Sequence, residues 1–576
     1  MPTWNLDDLY KKEDSGKLIA ELKKQTREFT KLRSALKPTL SVEEFMNIIK
    51  QKEKLSELTS RLGAYAELWF TENTADSERT SYLSKISEIC TDAGNETMFF
   101  SLWFKDLNDN DANKFIDNSG KYRYMLERIR ANKPYTLKEK EEQIVNLKDL
   151  TGCEALTNLY DTITNRFVFE FEGKKLSQEK INQYKQSTDR NKRKASYDLV
   201  LGKYGEEQPV LGELYKNIVN DWKNENLKLR KFKTPIAVRN HGNDVPDKAI
   251  EALLNVVRKN VELFKEYFKI KKKLLNLKEM DRYDLYVPYK EPDIEYPYEE
   301  SKKIVLETYK QFSQDAYEKA KKIFDDKHVH SELTPSKRSG AFCYTVLKDL
   351  PPYIMLNHVN KLNDLFTMMH EFGHGIHGMA ASEQTQFTFH SALPMAETAS
   401  IFGEMLLAQR LLKEADKNEK IAVLIKLLDG QYASIIRQAY FVLFEIEAHE
   451  KIANGATIED LNKLYLDNLN EQFDGVLPIA EIFKYEWSYI PHIHHTPFYC
   501  YAYVFGNLLV LALYKMYEQK GPEFVSKYMK ILSYGGSESP AKILKEVGID
   551  ITSDAFWQDG FDIIKEELEE LKKLTS

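Results

Sequence analysis

Residues 370 to 374 read His370-Glu371-Phe372-Gly373-His374, inside the apolar helical run LFTMMHEFGHGIHGMA. Histidines four positions apart lie on one helix face about a turn from each other, so both imidazoles can reach a single ion with Glu371 beside it. Two neutral nitrogens and a carboxylate suit zinc, one ion per chain, and leave a fourth position for water. The chain's 12 histidines are unevenly placed: none precedes His241, and eleven fall between His328 and His495. An even spread would put about 3.5 in that window (12 × 168/576). Chemistry is expected there.

The third ligand separates subclasses of zinc site. A His-Glu-x-x-His-x-x-Gly-x-x-His pattern is excluded, because His377 stands where it needs Gly and Ala380 where it needs His. His377 shares the helix of the other two, and geometry favours the flanking pair, His370 and His374. Glu397 lies 23 residues beyond His374, in Pro394-Met395-Ala396-Glu397-Thr398-Ala399-Ser400. Pro394 and the helix-forming run to Leu412 mark the start of a second helix, so the chain can turn back and set a carboxylate opposite the histidines. Glu404 lies two turns further along. It is either a partner holding a ligand histidine from behind or an ordinary salt-bridged residue.

The elements that must position these groups are mostly helical. Only 24 Gly and 18 Pro interrupt 576 residues, which favours long helices. Phe45, Ile48, Ile49, Leu55 and Leu58 show the three- and four-residue spacing of an amphipathic helix. Arg166 to Glu172 alternates with period two, Phe167, Phe169 and Phe171 on one side, and reads as a short strand or hairpin arm. Asp281 to Pro297, rich in Pro and Tyr, reads as an ordered loop. Ala341 to Val346 and Tyr353 to Leu356 read as adjacent strands across a Pro-Pro turn, directly before the histidine helix.

Charge and ends exclude other classes. Lys plus Arg number 82 against 89 Asp plus Glu, a balance of 82 − 89 = −7. No basic block is available for phosphate neutralisation, so a nucleic-acid partner is not expected. The longest apolar run, Val504 to Leu513, is broken by Gly506 and Asn507 and falls short of the ~20 residues of a membrane span. The amino terminus lacks the pattern of a secretory signal, and Cys90, Cys153, Cys343 and Cys500 form no C-x-x-C pair. A cytoplasmic chain with isolated thiols is the expectation; its oligomeric state is left open.

The sequence resembles the thimet-oligopeptidase-like zinc metallopeptidases, and within them the oligoendopeptidase F branch, along nearly its whole length. The resemblance is carried by Trp4-Asn5-Leu6-Asp7-Asp8-Leu9-Tyr10, Tyr283-Asp284-Leu285-Tyr286-Val287-Pro288 and Lys337-Arg338-Ser339-Gly340-Ala341-Phe342-Cys343. It continues through the His-Glu-x-x-His helix, Ala396 to Ser400, Ile490-Pro491-His492, Pro497 to Tyr503, Gly535-Gly536-Ser537-Glu538-Ser539-Pro540 and Phe556-Trp557. It implies a mainly α, two-lobed helical metallopeptidase with a deep channel and a small sheet beside the His-Glu-x-x-His helix. Residues 1–200 are expected to form a helical lobe and 201–576 the catalytic domain.

The resemblance further implies His370, His374 and Glu397 as zinc ligands and Glu371 as general base, acting on short unstructured peptides cut internally. His492 and Tyr501 match by spacing the His and Tyr that close on substrate, with His495 as a competitor. Tyr499, Tyr501 and Tyr503 share one side only in an extended chain; on a helix Tyr499 and Tyr503 pair and Tyr501 points away. Gly340 and Ala341 could pair with an extended peptide by strand addition or simply shape the strand. Gly535 and Gly536 could form a flexible loop over the site or a plain interhelix turn. An exopeptidase on a related scaffold and a non-catalytic peptide binder are the alternative functions.

Overall fold

Long helices dominate, as the scarcity of breakers requires: Val42–Glu72 runs 31 residues and Arg190–Trp222 runs 33. The first opens on a capping box in which Ser41 and Glu44 satisfy each other's backbone N–H groups. The computed structural model describes residues 1–289 and 294–576, and 72% of the chain is helical. The mainly α class is as expected. Within the Asp281–Pro297 segment the chain makes one 3-10 turn, Arg282–Asp284; positions 290–293 of that segment lie outside the described residues.

Two compact units are each assembled from three stretches. The first is Met1–Pro134, Ile294–Arg410 and Met516–Gly548; the second is Tyr135–Asp293, Leu411–Lys515 and Ile549–Ser576. A single division at residue 200 does not describe this arrangement, because the chain leaves and re-enters each unit. Alternating hydrophobicity marks buried faces, and carries no record of which distant segments bury them together.

The second unit contains the expected hairpin. Strand β1 (Phe169–Phe171) pairs antiparallel with β2 (Lys174–Leu176) through Glu172 and Gly173, both at positive φ, the geometry of a tight hairpin turn. Phe167, Phe169 and Phe171 are buried and Val168 is exposed, as the period-two pattern predicts.

The first unit contains a three-stranded sheet in the order β3 (Val329–His330), β5 (Tyr353–Met355), β4 (Phe342–Tyr344). The central strand is parallel to β3 and antiparallel to β4. All three residues of β5 are fully buried, which is why its sequence is an unbroken apolar run. The two expected strands are present in shorter form. The two-residue β3 is too brief to show a period.

The opening Trp-Asn-Leu-Asp-Asp motif now has a structural reason. Trp4 packs edge-on against His330 and Tyr353 and donates to Glu72 at 2.5 Å. Backbone bonds from Asn5 to the Lys327 carbonyl and from Ser331 to the Pro2 carbonyl tie the first residues alongside β3. Asp8 meets the buried His328 ring at 3.0 Å. The N-terminus therefore clamps the side of the sheet opposite β4.

The histidine helix, Leu362–Ala380, is placed by its glycines. A Cβ at Gly373 would strike the Ala399 carbonyl oxygen and lie 2.5 Å from Ser400 Cα; one at Gly375 would lie 2.6 Å from Ile323 Cδ1; one at Gly378 would lie 2.6 Å from Thr345 Oγ1. The helix thus touches a second helix, Thr398–Glu414, a third, Gln314–Asp325, and the residue after β4 at contact distances only Gly permits. Where Thr398–Glu414 crosses back, a Cβ at Gly403 would lie 2.6 Å from the Tyr309 hydroxyl, which itself donates to the Met369 carbonyl at 3.0 Å.

Gly373→Ala should therefore destabilise the protein by about 1–3 kcal/mol, since backbone rather than a flexible side chain must move. Gly63→Ala, in a helix with open space around the missing Cβ, should be neutral or stabilising by up to about 1 kcal/mol. Denaturant unfolding of both variants checks the contrast.

Candidate active site

The crossing of the two helices builds the site. One turn, Leu393–Ala396, opens with proline in its first turn, the helix resumes at Thr398, and Glu397 sits at the break with φ −86° and ψ 3°. Its Oε2 lies 3.3 Å from His370 Nε2 and 3.3 Å from His374 Nε2. These three donor atoms lie within 4.8 Å of one another, and the combination of two imidazole nitrogens and one carboxylate oxygen is a zinc donor set. His370 Nδ1 meets Glu404 Oε1 at 2.6 Å, which fixes the ring and leaves Nε2 pointing at the cluster. Ser400 donates to Glu397 Oε2 at 2.7 Å. Ser400 was not singled out from the sequence. Its signal is its place three residues after Glu397 at the start of a helix, a spacing that puts both on one face.

Electrostatics separates the carboxylates. Burial would raise Glu397, yet the hydrogen bond and charge of His374, the charge of His370 and the Ser400 hydroxyl bring it down to about 2. Glu371 is 7% exposed and is raised above the ordinary carboxylate value, burial outweighing attraction to the two histidines. Burial would lower His370, but Glu404, Glu397 and Glu371 hold it up at about 9. Glu397 is thus held as an anion, while Glu371 has raised proton affinity, the property a general base uses.

A cavity of about 460 Å³ opens over this cluster, lined by Ala341 to Thr345, His370, Glu371, His374, His377 and Gly378, and closed by Phe389 to Ser391 with Ala396. His377 lies in the wall but outside the donor cluster; burial beside His374 and His390 lowers it to about 4. Ala341 faces the cavity. Gly340, at φ +80° with free space around it, presents its carbonyl to Asn357 Nδ2 at 2.7 Å. Asn357, not anticipated, pins the approach to β4. Among the described residues strand β4 pairs only with β5, so its other edge carries no strand there.

Gly535 and Gly536 form the turn between two helices. Gly536 N–H donates to the Thr388 carbonyl at 2.8 Å, a Cβ at Gly535 would lie 2.5 Å from the Phe389 carbonyl oxygen, and one at Gly536 would overlap that of His390. The pair is a wedge against the cavity-lining segment, within the connection between helices Pro522–Ser533 and Pro540–Glu546.

The remaining expected residues lie in the second unit. His492, Tyr499 and Tyr503 group their rings, with centroids 5.9 Å (His492 to Tyr499), 6.0 Å (His492 to Tyr503) and 5.4 Å (Tyr499 to Tyr503) apart. Tyr501, expected to contact substrate, is a correction: it is fully buried, and its hydroxyl accepts from Asn243 Nδ2 at 2.8 Å. A side chain with no exposed surface reaches no substrate. The reason is helical phase, since Tyr501 opens the helix Tyr501–Lys520 and turns inward while Tyr499 and Tyr503 do not. His495 Nε2 is engaged by Asp161 at 2.9 Å, and His494 is buried against Tyr160. The segment is braced by Phe498 at φ 60°, whose N–H donates to the buried Glu445 at 2.8 Å.

The profile of peptidase family M3 matches residues 183–563, and an oligopeptidase F profile matches residues 103–169. The chain belongs to peptidase family M3, in its oligoendopeptidase F branch. It is a metallo-oligopeptidase. It is 26% identical to oligopeptidase PepF of Bacillus subtilis over 99% of this chain and 87% of that protein. To an oligoendopeptidase F homolog of Lactococcus lactis it is 27% identical over 99% of this chain and 97% of the other. The fold superposes on a solved structure from Chlamydophila abortus with a TM-score of 0.89 at 24% identity, covering 99% and 98% of the two chains. The oligoendopeptidase F of Enterococcus faecium gives 0.71 at 22% identity, covering 98% of each.

Two outcomes follow from these contacts. Glu404→Ala, which frees the His370 ring, should weaken metal retention about 10–100-fold, read by competition with a chelator. Burial raises Glu445 from 4.5 to about 8, so the folded chain holds its proton more tightly than the unfolded chain. Its stability contribution is complete below pH 4.5 and is lost as pH rises towards 8, with a slope of at most about 1.4 kcal/mol per pH unit. Glu445→Gln keeps the bond to Phe498 and should flatten that dependence in urea unfolding.

Proposed function

We propose that this M3 oligopeptidase is a zinc-dependent endopeptidase, one ion per chain, that hydrolyses internal bonds of short unstructured peptides in the cytoplasm. The observation that carries the reading is one carboxylate oxygen equidistant from two imidazole nitrogens, with a buried glutamate beside it in the same cavity. His370, His374 and Glu397 would hold the metal. When bound, zinc supplies Lewis acidity, bringing the pKa of water from ~15.7 towards ~7 and polarising a carbonyl.

The chain's own residues do the rest. Glu371, with its raised proton affinity, accepts a proton from the attacking water and delivers it to the leaving nitrogen. Glu404 keeps His370 oriented, and Ser400 keeps Glu397 from turning away. The bare edge of β4, reached through Gly340 and Ala341, offers backbone donors and acceptors to an extended peptide. A folded segment cannot present such a strand, which supports short unstructured substrates. Among the His and Tyr residues of the second unit, His492 with Tyr499 and Tyr503 is the set we assign to substrate and oxyanion. Tyr501 is excluded by its burial, and His495 is committed to Asp161. No helix among the described residues is long and apolar enough to cross a membrane.

A quenched fluorescent peptide blocked at both ends tests the whole reading. Cleavage should stop with a chelator, return with zinc, and yield internal fragments by mass. Glu371→Gln should retain one metal per chain while kcat falls about 10²–10⁴-fold. Full activity in chelator, or release of terminal residues alone from an unblocked peptide, would overturn it.

A further inference from the structure

The second unit holds a cavity of about 440 Å³ to which hydrolysis gives no task. Its apolar wall comes chiefly from Leu227, Ile236, Ile250, Leu254 and Phe498. Two buried polar side chains interrupt that wall. Among the described residues, His449 is 3% exposed with no hydrogen-bond partner for either ring nitrogen, and Asn240 is 2% exposed, its Nδ2 donating to Asp247 at 2.8 Å while its Oδ1 has no partner. Leaving buried polar atoms unpaired costs about 1–3 kcal/mol each, so their position in an apolar cavity of small-molecule size points to a ligand that completes them.

The chemistry of that ligand can be narrowed. Burial lowers His449 to about 3, so the ring is neutral and offers one N–H donor and one acceptor nitrogen. Lys223 and Lys233 stand at the cavity with Asp247, Glu251 and Glu450, and mixed signs give no field that would select an ion of either charge. The backbone around the cavity is also unusual. Leu227 belongs to a seven-residue π-helical stretch, Lys223–Leu229, and Phe498 is held at φ 60°. Such departures persist where surrounding structure enforces them, and they concentrate at binding sites.

We propose that this cavity binds a small uncharged molecule with an apolar body and one N–H or hydroxyl group, seated against His449 and Asn240. None of the residues assigned to metal, proton transfer or substrate lines it. The test uses N-phenyl-1-naphthylamine, an uncharged aromatic probe with a single N–H whose fluorescence rises on leaving water. The full-length protein should give a saturable rise at one probe per chain. Ala453→Trp, an exposed residue at the rim, should abolish the saturable component while circular dichroism and melting temperature stay unchanged. His449→Leu should weaken binding about 5-fold, the worth of one hydrogen bond of about 1 kcal/mol. A non-saturable rise, or unaltered affinity in Ala453→Trp, overturns the site. Unaltered affinity in a folded His449→Leu overturns the polar contact on which the ligand class rests.

Discussion

The site depends on how closely two helices approach. Glutamate is a short reach, and Glu397 touches both histidines only because the backbone of Leu362–Ala380 meets that of Ala399 and Ser400 with no side chain between them. Ordinary helix pairs sit 8–10 Å apart with side chains interdigitated. Gly373 removes that layer at the turn between His370 and His374. The close approach is stable because it is repeated along the crossing, where Gly403 admits the Tyr309 hydroxyl and that hydroxyl satisfies the Met369 carbonyl.

The same logic fixes the opposite wall of the cavity. Gly378 lets the residue after β4 rest directly on the histidine helix, so the strand edge and Glu371 face one cavity. The sheet cannot slide, because Trp4, Asn5 and Asp8 hold its far side through packing and hydrogen bonds to β3, β5 and their flanks. A sheet of two- and three-residue strands has little intrinsic stability. Here the N-terminal clamp on one side and a helix on the other supply what the ladder does not, leaving the β4 edge bare.

Much of this was legible in the sequence, and the limits have physical causes. Histidine spacing on an apolar helix specifies a shared face by geometry alone, so His370, His374 and Glu371 could be named directly; Glu397 followed from the proline-started second helix. Phe169 and Phe171 revealed their hairpin by period. Strand β3 did not show, because two residues have no period. Asn357 and Ser400 act through single hydrogen bonds, which leave no pattern in composition. Tyr501 was misassigned because spacing within Tyr499 to Tyr503 does not reveal where the helix begins, and one residue of phase decides between core and surface. The discontinuous units were invisible for a related reason, since local pattern reports burial without naming the partner.

The two glutamates nearest the histidines show how one residue type takes opposite roles. Glu371 is buried and Glu397 half-buried among the same imidazoles, and desolvation pushes both upward. Glu397 escapes because its oxygen contacts both Nε2 atoms and accepts from Ser400, interactions that favour the anion. Glu371 feels the histidines only as nearby charges, so desolvation prevails and its proton affinity rises. Pushing apart the pKa values of neighbouring carboxylates is how a site obtains one permanent anion and one proton carrier. The division follows from hydrogen-bond geometry at the helix crossing, so the glycine that sets the crossing also sets which glutamate is held as an anion and which has the raised proton affinity.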